Sequence, residues 1–154
     1  MAAPDRDRES NLWGWLRDAL PKLTSAKKHV QRIEDSTKSG TPDVEGMIEG
    51  GLPFWIELKV AYEQVRSPVV RVKTTDKQVY FALKRTQVGG LSWYLIRVGK
   101  HPNRFHFLIH GSQAEHLLDK PVPLDWLHNM SACEPDASAV DILLTAARMR
   151  SRAI

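Results

Sequence analysis

The chain has 154 residues, 22 of them Lys or Arg and 18 Asp or Glu. Its formal charge is +4, and its length suits one domain that buries about two thirds of its unfolded surface. A single cysteine, Cys133, excludes an internal disulfide or a cysteine-based zinc cage and reads as an ordinary thiol. No apolar run is long enough to span a bilayer, and residues 1–8, charged and small, read as a disordered start without a secretory signal, so an intracellular protein is expected.

Residues 11–20 read as a helix with Leu12, Leu16 and Leu20 on one face, ended by Pro21; Trp13 and Trp15 lie off that stripe. A first strand is expected over residues 29–33, followed by a polar loop over 34–41. Residues 43–48 read as a second strand, with Val44 and Ile48 on its apolar face. After the turn signal Glu49-Gly50-Gly51-Leu52-Pro53 comes a β-former-rich run, Phe54 to Val60. Alternation puts Phe54, Ile56, Leu58 and Val60 on one face and Trp55, Glu57 and Lys59 on the other. A five-residue hairpin loop would pair Ile48 with Phe54, Glu45 with Glu57, and Asp43 with Lys59. Asp43, Glu57 and Lys59 then project from one face, with Asp43 diagonal to Glu57. A loop longer or shorter by one residue would turn one strand's side chains to the wrong face.

Residues 61–75 read as irregular, with Pro68 and the Val69-Val70-Arg71-Val72 run inside them. Thr75-Asp76-Lys77-Gln78 is a capping box, opening a helix that packs through Val79, Ala82, Leu83 and Thr86 and ends at Val88-Gly89-Gly90. Residues 92–98 read as a buried strand and 104–110 as an edge strand whose second face carries His106, Leu108 and His110; scattered histidines of this kind fit hydrogen bonding better than metal ligation. A short helix over 112–118, a turn-rich 119–123 and a final helix capped by Asp136 complete the chain. Val140, Leu143, Leu144 and Ala147 would form the stripe of that helix, and Arg148, Arg150 and Arg152 its basic last turns. The order implies an α/β fold, a central mixed β-sheet flanked by helices. Its core would span residues 9–99, with 100–154 as a C-terminal extension packing on it or supporting a dimer.

Two convergent carboxylates repel unless a cation sits between them, and Mg²⁺ takes one or two carboxylates together with waters and phosphate oxygens. Such an ion polarises a phosphodiester and lowers the pKa of a bound water, and a neighbouring ammonium orients that water or offsets charge on the phosphate. The charge distribution agrees. Residues 1–99 hold 16 basic against 12 acidic residues, and between Lys59 and Arg85 seven basic residues meet only Glu63 and Asp76. Arg66, Arg71, Lys73 and Lys77 are the expected contacts for a polyanion. No Gly-rich phosphate loop followed by lysine is present, which argues against a nucleotide-driven machine.

The series Arg32-Ile33-Glu34, Gly40-Thr41-Pro42-Asp43, Ile56-Glu57-Leu58-Lys59 and a Gln78-led helix resembles the PD-(D/E)XK nuclease superfamily over roughly residues 9–98. Within it, the chain looks like the small VRR-type and Holliday-junction-resolvase-like nucleases, many of them carried by bacteriophages. The resemblance implies a restriction-endonuclease-like fold, with Asp43 and Glu57 as metal ligands and Lys59 assisting the attacking water. It further implies an auxiliary acid, Glu9 or Glu34, and Gln78 as a polar contact at the edge of the site. The function expected is a Mg²⁺-dependent DNA endonuclease, with Mn²⁺ as a substitute ion, acting on branched or distorted DNA in the cytoplasm, that of a host cell if viral. A DNA-end or single-strand nuclease and a catalytically weak nucleic-acid-binding protein are the alternatives. DNA and a second copy of the chain are the expected partners, with no membrane and no nucleotide cofactor.

Overall fold

A computed structural model describes residues 9–24, 26–33, 40–64, 67–100 and 103–149. The first helix, α1 (Glu9–Arg17), starts two residues earlier than the leucine spacing suggests, and Leu12 and Leu16 are fully buried. Pro21 falls in a short 3₁₀ turn, Leu20–Lys22, because it has no N–H with which to continue an α-helical ladder.

Five strands form the main sheet: β1 (Lys28–Arg32), β2 (Val44–Ile48), β3 (Phe54–Ala61), β6 (Leu91–Lys100) and β7 (Asn103–His110), in spatial order β1-β2-β3-β6-β7. Only β3 and β6 run parallel; the other neighbours are antiparallel. Their crossover contains β4 (Glu63–Gln64), β5 (Ser67–Val70) and the helix α2 (Asp76–Gln87). The stretch expected to be irregular thus contributes to a second sheet, in which β5 lies between β4 and β8 (Val122–Pro123). Pro68 is tolerated because it lies where the β4–β5 register shifts, so no ladder partner needs its missing N–H.

Helices cover both faces of the main sheet. On one, α1 and α4 (Ala139–Ala146) enclose Val44, Phe54, Ile56, Leu58, Trp93 and Leu95. On the other, α2, a 3₁₀ segment (Gly111–Leu117) and α3 (Leu124–Met130) cover Tyr94, Ile96, Val98, Phe107 and Ile109. Residues 91–98 are accordingly buried without alternation, as a strand covered on both sides must be. The mixed α/β architecture expected from the sequence is the one observed.

Three local expectations need correction. The β2–β3 register pairs Gly46 with Phe54 and Val44 with Ile56, a two-residue slip from the hairpin expected. The connection is longer because Ile48 stays paired with Lys28, Gly51 N–H closes on Ile48 O at 2.8 Å, and Leu52 N–H is held by Ala147 O at 2.9 Å. An even slip preserves the faces; continued by one step it sets Asp43 opposite Glu57 instead of Lys59. The final helix is capped by Ser138, whose Oγ accepts from Asp141 N–H, and not by Asp136. That helix ends before Arg148, which has φ of +58°; Arg150 and Arg152 lie outside the described residues. The boundary expected near residue 99 falls within the β6–β7 hairpin, so β7 is part of the main sheet and α4 of its core.

Candidate active site

The loop leading to Asp43 is pressed against α2. Gly40 has φ of +86°, and a Cβ there would lie 2.4 Å from the carbonyl carbon and oxygen of Lys77, so only glycine fits. Pro42 is buried, and Asp43 stands at the entry to β2. Its carbonyl accepts from Ile33 N–H at 2.6 Å, and its Oδ2 accepts from Leu58 N–H at 2.8 Å. The carboxyl thereby replaces a ladder partner for β3 and is held beside Glu57.

Glu57 and Lys59 leave β3 on the face covered by α2, and both are buried, with 3% and 8% of their surface exposed. Between them lies Gln78. Its Oε1 accepts from Lys59 Nζ, Thr74 Oγ1 and Thr75 N–H, each at 3.1 Å. Ammonium and backbone N–H are donors only, so the amide has one orientation available and its NH₂ must face Glu57. Gln78 Nε2 donates to Glu57 Oε1 at 2.6 Å. The expected capping box is complete, with Gln78 N–H donating to Thr75 Oγ1 at 3.2 Å. One side chain therefore caps α2 and joins the acid to the lysine.

Glu57 Oε2 is buried with no hydrogen-bond partner. Burial, then the neighbouring Asp43 carboxyl, pushes the Glu57 pKa up to about 9; Lys59 opposes this and Glu9 adds to it. Glu9, in the first turn of α1, is also raised, chiefly by burial and in part by Asp43, with Lys59 and Arg32 acting against. Thus Asp43, Glu57, Lys59 and Gln78 are brought together, and Glu9 lies within their electrostatic reach. Glu34 is outside the described residues.

Two further members were not singled out from sequence. Thr74 Oγ1 lies 2.7 Å from the Tyr94 hydroxyl, whose pKa is raised above the ordinary phenol value mainly by burial. Tyr94 pairs with Glu57 across the parallel β3–β6 ladder and so shares its face. Its place could have been found only by knowing that pairing.

Among the described residues no group of three or more His, Cys, Asp or Glu is arranged to hold a metal ion. A magnesium ion asks for less: two carboxylates, with waters and substrate oxygens completing its octahedron. The buried Oε2 of Glu57, which has no hydrogen-bond donor, together with the neighbouring Asp43 carboxyl that repels its anion, fits such a cation. The histidines expected to hydrogen bond do so: His106 Nε2 pairs with Arg97 Nε at 3.0 Å, beneath Trp15 stacked on its ring, and His110 with Ser112.

Of the expected polyanion contacts, Arg71, Lys73 and Lys77 are exposed along the segment running past Thr74 into α2, and Arg66 lies outside the described residues. No described helix is long and apolar enough to cross a membrane.

No family model and no curated protein matches the sequence. Among solved structures, the chain is similar to Hjc of Archaeoglobus fulgidus, a Holliday junction resolvase from an archaeal hyperthermophile. The TM-score is 0.50 at 12% identity, covering 84% of this chain and 98% of Hjc. At that identity the likeness carries the fold alone: a mixed five-stranded sheet flanked by helices, restriction-endonuclease-like.

Proposed function

We propose that this chain is a metal-dependent endodeoxyribonuclease that hydrolyses phosphodiester bonds in branched or distorted DNA, akin to the VRR-type and Holliday-junction-resolvase-like nucleases of bacteriophages. The observation that carries this reading is the convergence of Asp43, Glu57 and Lys59 on one sheet face, with Gln78 bonded to both Glu57 and Lys59. Asp43 and Glu57 would hold Mg²⁺, or Mn²⁺ in its place, with Glu9 as auxiliary acid. Bound there, the ion supplies Lewis-acid polarisation of the phosphate and a nucleophilic water at neutral pH. Lys59, kept in place by Gln78 Oε1, aims its ammonium at the attacking water or the phosphate oxygens. Arg71, Lys73 and Lys77 line the approach with positive charge, and a second copy of the chain would present a second site to a symmetric junction.

The test is cleavage of matched four-way junction, duplex, flap and single-stranded DNA, with and without Mg²⁺. Wild-type protein should cut the junction fastest and only with the ion. Asp43→Asn and Glu57→Gln should abolish cleavage while retaining DNA affinity, and Lys59→Ala should slow it by about 10²–10⁴-fold. Near-normal cleavage by either folded carboxylate variant refutes the assignment, and DNA binding without any cleavage by wild type would make this a binding protein on a nuclease fold.

A further inference from the structure

The outer side of α2 is unlike an ordinary solvated helix face. An open groove of about 490 Å³ runs along it from Thr41, two residues before Asp43, to Val88 at the helix end. Its floor is aromatic: Phe81 meets Trp55 edge to face at 5.3 Å, and Trp55 stands on the same strand face as Glu57 and Lys59. Tyr80 is 64% exposed beside it. Its charge is of one sign. Lys77, Lys84 and Arg85 line the groove with no acidic residue among its lining, and the cations are drawn onto the rings. Lys84 Nζ lies 5.6 Å from the Tyr80 centroid, and the Arg85 guanidinium lies 5.1 Å from Phe81 and 5.6 Å from Trp55.

We propose that this groove is a docking track for an unpaired stretch of the DNA substrate, with one base stacking on Tyr80 and its phosphates lying against Lys77 and Lys84. The choice of DNA rests on the nuclease reading above; the groove's chemistry selects the single-stranded form. Stacking platforms interleaved with cations recognise exposed base faces, which paired duplex does not offer. Because the groove is lined at one end by Thr41, two residues before Asp43, and by Lys77, the neighbour of Gln78, a strand lying in it would end beside the proposed site. This extends the expected basic contacts, which ended at Lys77, along the whole helix.

The test measures binding in EDTA, where cleavage cannot occur, for wild type, Tyr80→Phe and Tyr80→Ala. The probes are a forked duplex with single-stranded arms and a blunt duplex of equal length. Tyr80→Ala should lose roughly tenfold in affinity for the fork and little for the duplex, while Tyr80→Phe, which keeps the ring, should match wild type. A 5-iodouracil placed in the fork arm should crosslink to Tyr80. Equal losses on both probes, no loss, or a crosslink mapping away from α2 would overturn the docking track. Cleavage by wild type with Mg²⁺ is scored separately: its failure counts against the nuclease reading, whereas the binding pattern judges the groove alone.

Discussion

Gln78 donates to Glu57 through Nε2 while its Oε1 receives Lys59, Thr74 and the backbone of Thr75, so a neutral side chain sets the distance between the acid and the ammonium. Its two roles are separable by substitution. Gln78→Glu keeps the capping box, since a carboxylate also accepts from Thr75 N–H, but puts beside Glu57 a carboxylate that repels it once Glu57 gives up its proton, as the proposed metal site requires. It should melt near the wild-type temperature and cleave about 10- to 100-fold more slowly. Gln78→Leu should lose both, with about 0.5–2 kcal/mol of stability gone as well. Full activity in Gln78→Glu would show that the amide serves the helix only.

The raised pKa of Glu57 ties stability to pH. Its folded value of about 9 lies above the ordinary 4.5, so the metal-free native state holds a proton that the unfolded chain releases between those values. Its contribution is therefore present in full below about pH 4.5 and is lost as the pH climbs through about 9. Thermal melts in EDTA should fall across this window, and Glu57→Gln should flatten the slope. If Glu57 holds Mg²⁺ as proposed, binding would displace the same proton, so affinity should rise with pH. Calorimetric titrations in buffers of different ionisation enthalpy should register proton release, and their agreement would contradict the shift.

Gly40 offers a test of loop placement remote from the chemistry. Gly40→Ala puts a methyl group into the Lys77 backbone at a positive φ, which no flexible side chain can relieve. The substitution should cost about 1–3 kcal/mol and lower cleavage by displacing Asp43 from Leu58 N–H. Urea melts read the first effect, and single-turnover cleavage at saturating DNA reads the second.

Neutralising Arg71, Lys73 and Lys77 together, with Arg66, should weaken binding to all DNA sequences, because phosphate contacts position the substrate without reading bases. The salt dependence of the binding constant should flatten by about 0.9 for each duplex phosphate that is no longer neutralised. An unchanged slope would mean that this charge is only a solvated face.

Much of the site was legible because strand parity survives an even error. Asp43, Glu57 and Lys59 share a face under the expected register and under the observed one, although the partner of Asp43 changed. The absolute register was not legible, since Leu52 is held by Ala147 at the far end of the chain. The capping box at Thr75 and Gln78 could be read because it is local, whereas its link to Glu57 spans two elements. Tyr94 and Thr74 were hidden for the same reason. The helix α3 escaped notice because it has seven residues and Pro123 at its N-terminus without a side-chain cap.

The crossover from β3 through α2 to β6 also sets an order of events during synthesis. Both carboxylates and Lys59 leave the ribosome before Gln78 and Tyr94 exist, and β3 has no parallel neighbour until residues 91–98 emerge. Parallel pairing of this kind closes a long loop before it returns any contact. An emerging chain that stops short of β6 therefore carries the acids of the site without the strand that brings α2 across them. The cluster is complete only with the finished sheet, and a truncated translation product lacks the contacts that join Glu57, Gln78 and Lys59.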